Sequence, residues 1–228
     1  MDNGAKQAKT AAKRFEYPSP LVFGAVRFVA FLISKALWFV RFRGIENIPN
    51  DESGFVLVSN HPTYLDPVWI SIPIKKKGLR YMAWDQAFEW PLVGKLIRYL
   101  GAFPVKTEAS VTKTAIAESL RTLRGGGILV IFPEGEREFS DGEMLEFKSG
   151  AVHIAMNSAV PILPVSIRGG NRIWPRGQKI PNLFRRVEVT YHPTINPPER
   201  SDSPELDAHL EKVNDALIQT IASATRKN

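Results

Sequence analysis

The sequence predicts an α/β domain built on a mostly parallel sheet flanked by helices, with an amphipathic, membrane-seeking helical segment ahead of it. Three observations carry this reading. Short apolar runs recur at residues 55–59, 79–83, 103–105, 128–132 and 162–167, each framed by turn-forming residues as buried strands are. Helical patterns alternate with them, most clearly at 111–123 (VTKTAIAESLRTL), and that alternation makes parallel sheets. The most apolar stretch, residues 21–40, lies beside the chain's excess of positive charge.

Residues 1–16 form a basic tail. Residues 21–40 (LVFGAVRFVAFLISKALWFV) are long enough to cross a bilayer, but Arg27 and Lys35 would lie at a costly depth. At about 100° per residue, Arg27, Ser34, Lys35 and Arg41 share one side. Val22, Ala25, Val29, Leu32, Ile33, Ala36, Phe39 and Val40 share the other. In-plane attachment to a membrane is the leading reading, with a span and a core helix as alternatives. A cleaved signal peptide is disfavoured, because Arg41-Phe42-Arg43 follows the run where a small-residue site is needed. Trp38 is placed as an interfacial anchor. Residues 1–43 are thus the tail and attachment segment, and 44–228 the α/β domain.

That domain opens on a turn-rich stretch, 44–53. After the strand at 55–59, residues 67–72 open a helix. Residues 86–100 are expected to form a further helix with Pro91 near its start. Gly125-Gly126-Gly127 stops the helix at 111–123. Residues 150–158 are helical, and Pro161 and Pro164 mark 162–167 as lying at a sheet edge. Residues 186–191 alternate as an edge strand. A C-terminal amphipathic helix covers 202–224.

With 44% apolar and 23% charged residues, the 228-residue chain is neither disordered nor a polytopic transporter. It has no Cys, which removes disulfides, thiolate metal sites and cysteine nucleophiles. The net charge is +7, and residues 1–43 supply +6 of it with eight bases and two acids; the other 22 bases and 21 acids nearly cancel. A nucleic-acid binder carries its charge on the folded domain, so an anionic membrane surface is the expected partner and nucleic acid is not. His61, His153, His192 and His209 show no ligand spacing, and no metal is expected. His153, in an apolar helical context, reads as structural and His192 as a loop residue. Lys75-Lys76-Lys77 is a solvated run or a landing point for anionic lipid, CoA phosphates or an acidic carrier.

The chemistry gathers at two strand ends. Asn60-His61-Pro62-Thr63-Tyr64-Leu65-Asp66 follows the first buried strand, where open α/β sheets place their sites. Asp66 can fold back on one imidazole nitrogen of His61 and leave the other to accept a proton, the pairing of a general base with its orienter. Taken alone, the same spacing also suits a capped loop with a hydrogen-bonded His. No Gly-x-Ser-x-Gly elbow is present, so the substrate is expected to bring its own hydroxyl. Phe132-Pro133-Glu134-Gly135-Glu136-Arg137 follows another buried strand, and a Glu-Gly turn beside an Arg suits phosphate.

These blocks resemble the glycerolipid acyltransferases, the 1-acyl-glycerol-3-phosphate acyltransferase (PlsC-like) superfamily. Gly44-Ile45-Glu46-Asn47-Ile48-Pro49 looks like the family's lead-in, and Asn60-His61 through Asp66 matches its His-x4-Asp block. The block at 132–137 is similar to Phe-Pro-Glu-Gly-Thr-Arg, and Val160-Pro161-Ile162-Leu163-Pro164-Val165 to Val-Pro-Ile-x-Pro-Val. The ordered set covers residues 44–170. Gly101-Ala102-Phe103-Pro104-Val105-Lys106-Thr107 resembles the remaining block, with Thr107 where the family carries Arg. The resemblance implies a glycerol-3-phosphate acyltransferase-like fold and transfer of an acyl chain from acyl-CoA or acyl-carrier protein to lysophosphatidic acid. His61 and Asp66 would be catalytic, and Asn60, Lys106, Glu134, Gly135 and Arg137 substrate-binding. No resident cofactor is implied. The expected partners are membrane lipids, the acyl donor and a lysophospholipid acceptor, at the cytoplasmic face of a membrane. Thr107 and Glu136 keep another lysolipid or a phosphate-free alcohol open as acceptor.

Overall fold

The computed structural model describes residues 19–75, 78–105, 113–137, 144–175 and 177–225. Within them, seven strands form one sheet: β1 (Arg41–Arg43), β2 (Phe55–Ser59), β3 (Leu79–Trp84), β4 (Ala102–Val105), β5 (Ile128–Ile131), β6 (Ile162–Arg168) and β7 (Glu188–Tyr191). Their order is β1-β7-β6-β2-β5-β3-β4, and every neighbouring pair is parallel except β6 with β7. The helices are α1 (Pro20–Trp38), α2 (Asp66–Ser71), α3 (Val93–Tyr99), α4 (Lys113–Arg124), α5 (Gly150–Ser158) and α6 (Leu206–Thr225).

All five residues of β2 are buried, which explains the continuous apolar run of a strand covered on both faces. Phe55 and Leu57 join Trp69 and Ile70 of α2 and Trp38 of α1 in one core layer. Val56 and Val58 join Leu123 of α4, Val152 and Ala155 of α5, and Leu217 and Ile221 of α6 in the other. The period-two side-chain alternation of β2 therefore feeds two separate cores. The chain leaves β2 through α2 towards β3 on one side, and leaves β5 through α5 towards β6 on the other. Connections that diverge in this way open a crevice at the carboxyl ends of the strands, the place where α/β sheets hold ligands.

Several expectations need correction. Arg41–Arg43, placed with the attachment segment by the sequence, pair with β7 as the outermost strand. Because β1 covers it, β7 is not an edge strand. Pro164 likewise sits in an interior strand. Its carbonyl accepts from His192 N–H at 2.9 Å, and beyond that point β6 next pairs with Ile195. Pro164 lacks the N–H for the reciprocal bond, and it lies where the β7 ladder ends. Residues 86–100 are not one helix. A short 3-10 turn (Asp85–Phe88) precedes α3, with Pro91 and Leu92, at φ +64°, between them.

α1 departs most from a soluble helix. Its N-terminus is capped by the Ser19 hydroxyl, and Pro20 starts the first turn. Two of the four residues on its polar side face the protein, for Ser34 is buried and the Arg27 guanidinium donates to the Ile74 carbonyl, while Lys35 and Arg41 are exposed. Val22, Ala25, Val29, Leu32, Ile33, Ala36 and Phe39 all point to solvent. Val40, assigned to that side by the wheel, is buried because the chain turns into β1 there. Trp38 is not an exposed anchor; it packs edge-on against Trp69 and donates to Asn182 O at 2.8 Å. α1 is long and apolar enough to cross a membrane by length and composition.

Candidate active site

β2 ends at Ser59, and the next six residues turn back into α2. Asn60 anchors the start of this turn. Its amide donates to Ile167 O at 2.9 Å and accepts from Ile167 N–H at 2.8 Å, tying the loop to β6. Asn60 is 5% exposed, so its polar atoms serve the backbone of the neighbouring strand. Glu134, at the end of β5, holds the next residue. One carboxylate oxygen accepts from His61 N–H at 2.7 Å, and the other from Leu145 N–H at 2.9 Å. The His61 ring stacks on Phe132 with centroids 4.0 Å apart.

His61 Nδ1 lies 2.9 Å from Asp66 Oδ2, and the Thr63 N–H donates to the same oxygen at 2.7 Å. The ring thus presents Nδ1–H to the carboxylate and leaves Nε2 as the proton-accepting nitrogen. Asp66 is fully buried, and its other oxygen has no partner among the described residues. Burial pushes its carboxyl up to about 6, against the hydrogen bond and charge of His61, the Thr63 N–H and the positive charge of Arg137.

Arg137 lies under the turn. Its guanidinium sits 3.8 Å from the Tyr64 ring centroid and donates to Trp174 O at 2.6 Å. Tyr64 also packs edge-on against Trp90 and Trp174. Gly135 adopts φ +77°, and a Cβ there would meet the Lys148 ammonium at 2.9 Å. The fold therefore brings together His61, Asp66, Asn60, Glu134, Gly135 and Arg137 around the carboxyl ends of β2, β5 and β6. Lys106, Thr107, Lys76, Lys77 and the basic tail lie outside the described residues.

The structure gives a definite place to Gly170, which the sequence offers only as part of the polar loop 168–172 that follows a strand and could touch a ligand. Gly170 opens the turn after β6, and a Cβ on it would come within 2.7 Å of Pro62 and 3.2 Å of Thr63. The one available signal was its place in Gly169-Gly170 directly after a buried strand. Outside the site, His153 is exposed on α5, not structural as expected. His192 Nε2 lies 2.6 Å from Ser166 Oγ, which donates to Ile221 O at 3.0 Å. Ser166 is 1% exposed and its proton is committed to that carbonyl, so the pair is a packing contact and not a second nucleophile. Burial lowers the pKa of His192.

Residues 39–168, more than half of the chain, match the protein family described as Acyltransferase. A 1-acyl-sn-glycerol-3-phosphate acyltransferase of Streptococcus pneumoniae is 30% identical over 84% of this chain and 67% of its own length. The chloroplastic 1-acyl-sn-glycerol-3-phosphate acyltransferase LPAT1 of Arabidopsis thaliana is 27% identical over 69% of this chain, which spans 44% of that protein. The crystal structure of the 1-acyl-sn-glycerophosphate (LPA) acyltransferase PlsC from Thermotoga maritima superposes with a TM-score of 0.66 at 27% identity, covering 91% of this chain and 81% of that one. With the strand-end site and this match over its central residues, the chain belongs to the acyltransferase family.

Proposed function

We propose that the chain is a membrane-attached O-acyltransferase that moves an acyl chain from acyl-CoA or acyl-carrier protein to the free hydroxyl of 1-acyl-glycerol-3-phosphate, giving phosphatidic acid for phospholipid synthesis. The observation that carries this reading is the His61–Asp66 contact at 2.9 Å, at the sheet crevice of a family whose relatives bear that activity in their names. His61 Nε2 takes the acceptor hydroxyl's proton as the oxygen attacks the thioester carbonyl. The tetrahedral intermediate then expels the donor's thiolate, which takes up the proton from His61, and an oxygen ester remains. Asp66 holds the imidazole tautomer, Glu134 and Asn60 fix the backbone that carries His61, and Arg137 supplies positive charge beside the acceptor. Lys106 and the Gly135 turn complete the head-group site in this reading, and no resident cofactor takes part. The apolar outward face of α1 supports monotopic attachment, on the cytoplasmic side where acyl donors are found.

A second acceptor class is favoured by one observation. Tyr64 covers a face of the Arg137 guanidinium and Trp174 O occupies one of its donors, while Thr107 replaces the family's second Arg. Another lysolipid or a phosphate-free alcohol would need less cationic recognition.

The test is acyl transfer by the purified chain in mixed micelles with labelled acyl-CoA, against lysophosphatidic acid, other lysophospholipids and a phosphate-free alcohol. Transfer strongest to lysophosphatidic acid and reduced about 10²–10⁴-fold in His61→Ala is the expected result. His61-dependent transfer to another acceptor selects the second reading. Full activity of His61→Ala overturns the mechanism.

A further inference from the structure

The loop between β6 and β7 is basic and apolar at once. From residue 169 to residue 187 the sequence has five basic residues and no acid. Ile180 is 76% exposed, Phe184 65% and Leu183 44%, and Lys179, Arg185 and Arg186 are exposed around them. Glu188, the first acid beyond, is already paired with Arg43 and Arg168.

The loop adjoins α1. Phe184 N–H donates to Leu37 O at 2.7 Å, and the Trp38 indole donates to Asn182 O at 2.8 Å. The Phe184 and Phe39 rings lie 6.4 Å apart, so the apolar face of α1 runs on into the loop. Both phenylalanines occupy left-handed backbone, at φ +56° and +47°, which is costly for any residue bearing a Cβ. Both are also exposed, so packing among the described residues does not account for the choice of Phe. The other end of the same loop reaches the site, where Trp174 O holds Arg137 and its ring packs on Tyr64.

We propose that residues 177–186 form a second lipid-contacting element. Ile180, Leu183 and Phe184 enter the interface of an anionic bilayer beside α1, while Lys179, Arg185 and Arg186 engage lipid phosphates. The charge decides the occupant: exposed apolar groups rimmed by bases that no acid pairs among the described residues match an anionic leaflet. Two elements in one surface fix the orientation of the protein on the membrane, where α1 alone would let it rock, and they set the mouth of the site against the leaflet that supplies a lipid acceptor. The proposal rests on the membrane-attachment reading above.

The chain has no Cys, so single cysteines in the full chain report position without interference. Leu32→Cys on α1, Ile180→Cys in the loop and Lys212→Cys on the exposed side of α6 are each labelled with a polarity-sensitive dye. They are mixed with phosphatidylcholine vesicles containing phosphatidylglycerol and a doxyl-lipid quencher. Quenching at 32 and 180 but not at 212 is the expected result. Quenching at 32 alone overturns the loop proposal and leaves attachment through α1 standing. Quenching at neither position overturns both. Phe184→Gly keeps the left-handed backbone and removes the ring; it should weaken partition into these vesicles about fivefold or more, and unchanged partition overturns the proposal. Arg185→Glu with Arg186→Glu should abolish the preference for phosphatidylglycerol-containing over pure phosphatidylcholine vesicles, and a retained preference overturns the assignment of the occupant.

Discussion

The loop carrying His61 and the helix α1 both lie on the face of the sheet that holds α2, and they break the hydrophobic-inside rule in opposite ways. The loop buries polar groups: Asn60, Thr63, Asp66 and Glu134 are each 5% exposed or less. α1 exposes apolar ones, with Val29, Leu32 and Ile33 each about half exposed or more. In the loop, burial is matched by hydrogen bonds that fix two carboxylates and an imidazole in one geometry. In α1, nothing among the described residues covers the apolar face, and Arg27 and Ser34 are turned inward while Lys35 stays exposed. Each departure costs stability in an isolated protein in water, and under the proposed function each acquires a purpose in acyl transfer at a lipid surface. Substitutions should therefore separate them: changes in the loop alter rate without altering membrane binding, and changes on α1 do the reverse.

The largest effect should come from Asp66→Asn. Losing the charge that orients His61 should lower kcat about 10²–10⁴-fold, with vesicle binding unchanged. Stability should move the other way. The folded-state pKa of about 6 lies above the ordinary 3.8, so the favourable contribution of Asp66 to folding is complete below about pH 4 and is lost as pH rises through 6. A shift of that size corresponds to about 1–3 kcal/mol, part of which Asn forfeits by burying an amide beside the unpartnered Oδ1 position. Asp66→Asn should thus fall about 1 kcal/mol below the wild type in denaturant unfolding near pH 4 and exceed it by about 1–2 kcal/mol at pH 8. The wild-type enzyme should also lose kcat/KM as pH falls below about 6, where Asp66 takes up its proton. A variant less stable at both pH values would contradict the burial argument.

A second, smaller effect isolates position from charge. Gly170→Ala introduces no ionisable group, yet its Cβ must displace Pro62 and Thr63. Thr63 N–H holds Asp66, so a shift of a few tenths of an ångström is passed to the His61–Asp66 pair. kcat should fall about 10–100-fold with KM for the acyl donor little changed. An unaltered kcat would show that the loop absorbs the methyl group without moving the dyad.

The two regions also differ in how far the sequence disclosed them. The strand at 55–59 and the helix at 150–158 appear with the expected limits, because burial on two faces and a clear turn at each end leave a local imprint. The pairing of His61 with Asp66 is local as well, spanning five residues. The roles of Asn60 and Glu134 are not local. Their partners are Ile167 and the His61 backbone, 107 and 73 residues away, so side chains expected to face substrate turn out to hold the frame of the site. β1 escaped because three residues with two arginines carry no apolar periodicity; backbone pairing with β7 alone makes them a strand. The wheel separated Arg27 and Ser34 from the outward apolar residues but misplaced Val40 and grouped the exposed Lys35 and Arg41 with the inward pair, and which side met the protein was settled by Ile74 O waiting for Arg27 and by the seat of Trp38 on Trp69. The inward side carried the cation, which hydropathy alone places outward.

The smallest effect on catalysis should come from α1, and there the comparison is sharpest. Leu32→Ser with Ile33→Ser removes two apolar side chains that are 49% and 46% exposed, so the fold loses little by their absence. In a membrane each would bury roughly its exposed half, worth about 1 kcal/mol apiece. Partition into anionic vesicles should weaken about thirtyfold, read by flotation or sedimentation. Transfer in detergent micelles, where donor and acceptor reach the site without a bilayer, should stay within about twofold of wild type. A loss of transfer in micelles with intact vesicle binding would mean that the outward face of α1 shapes the site itself, and the division between a rigid polar loop and a lipid-seeking helix would have to be redrawn.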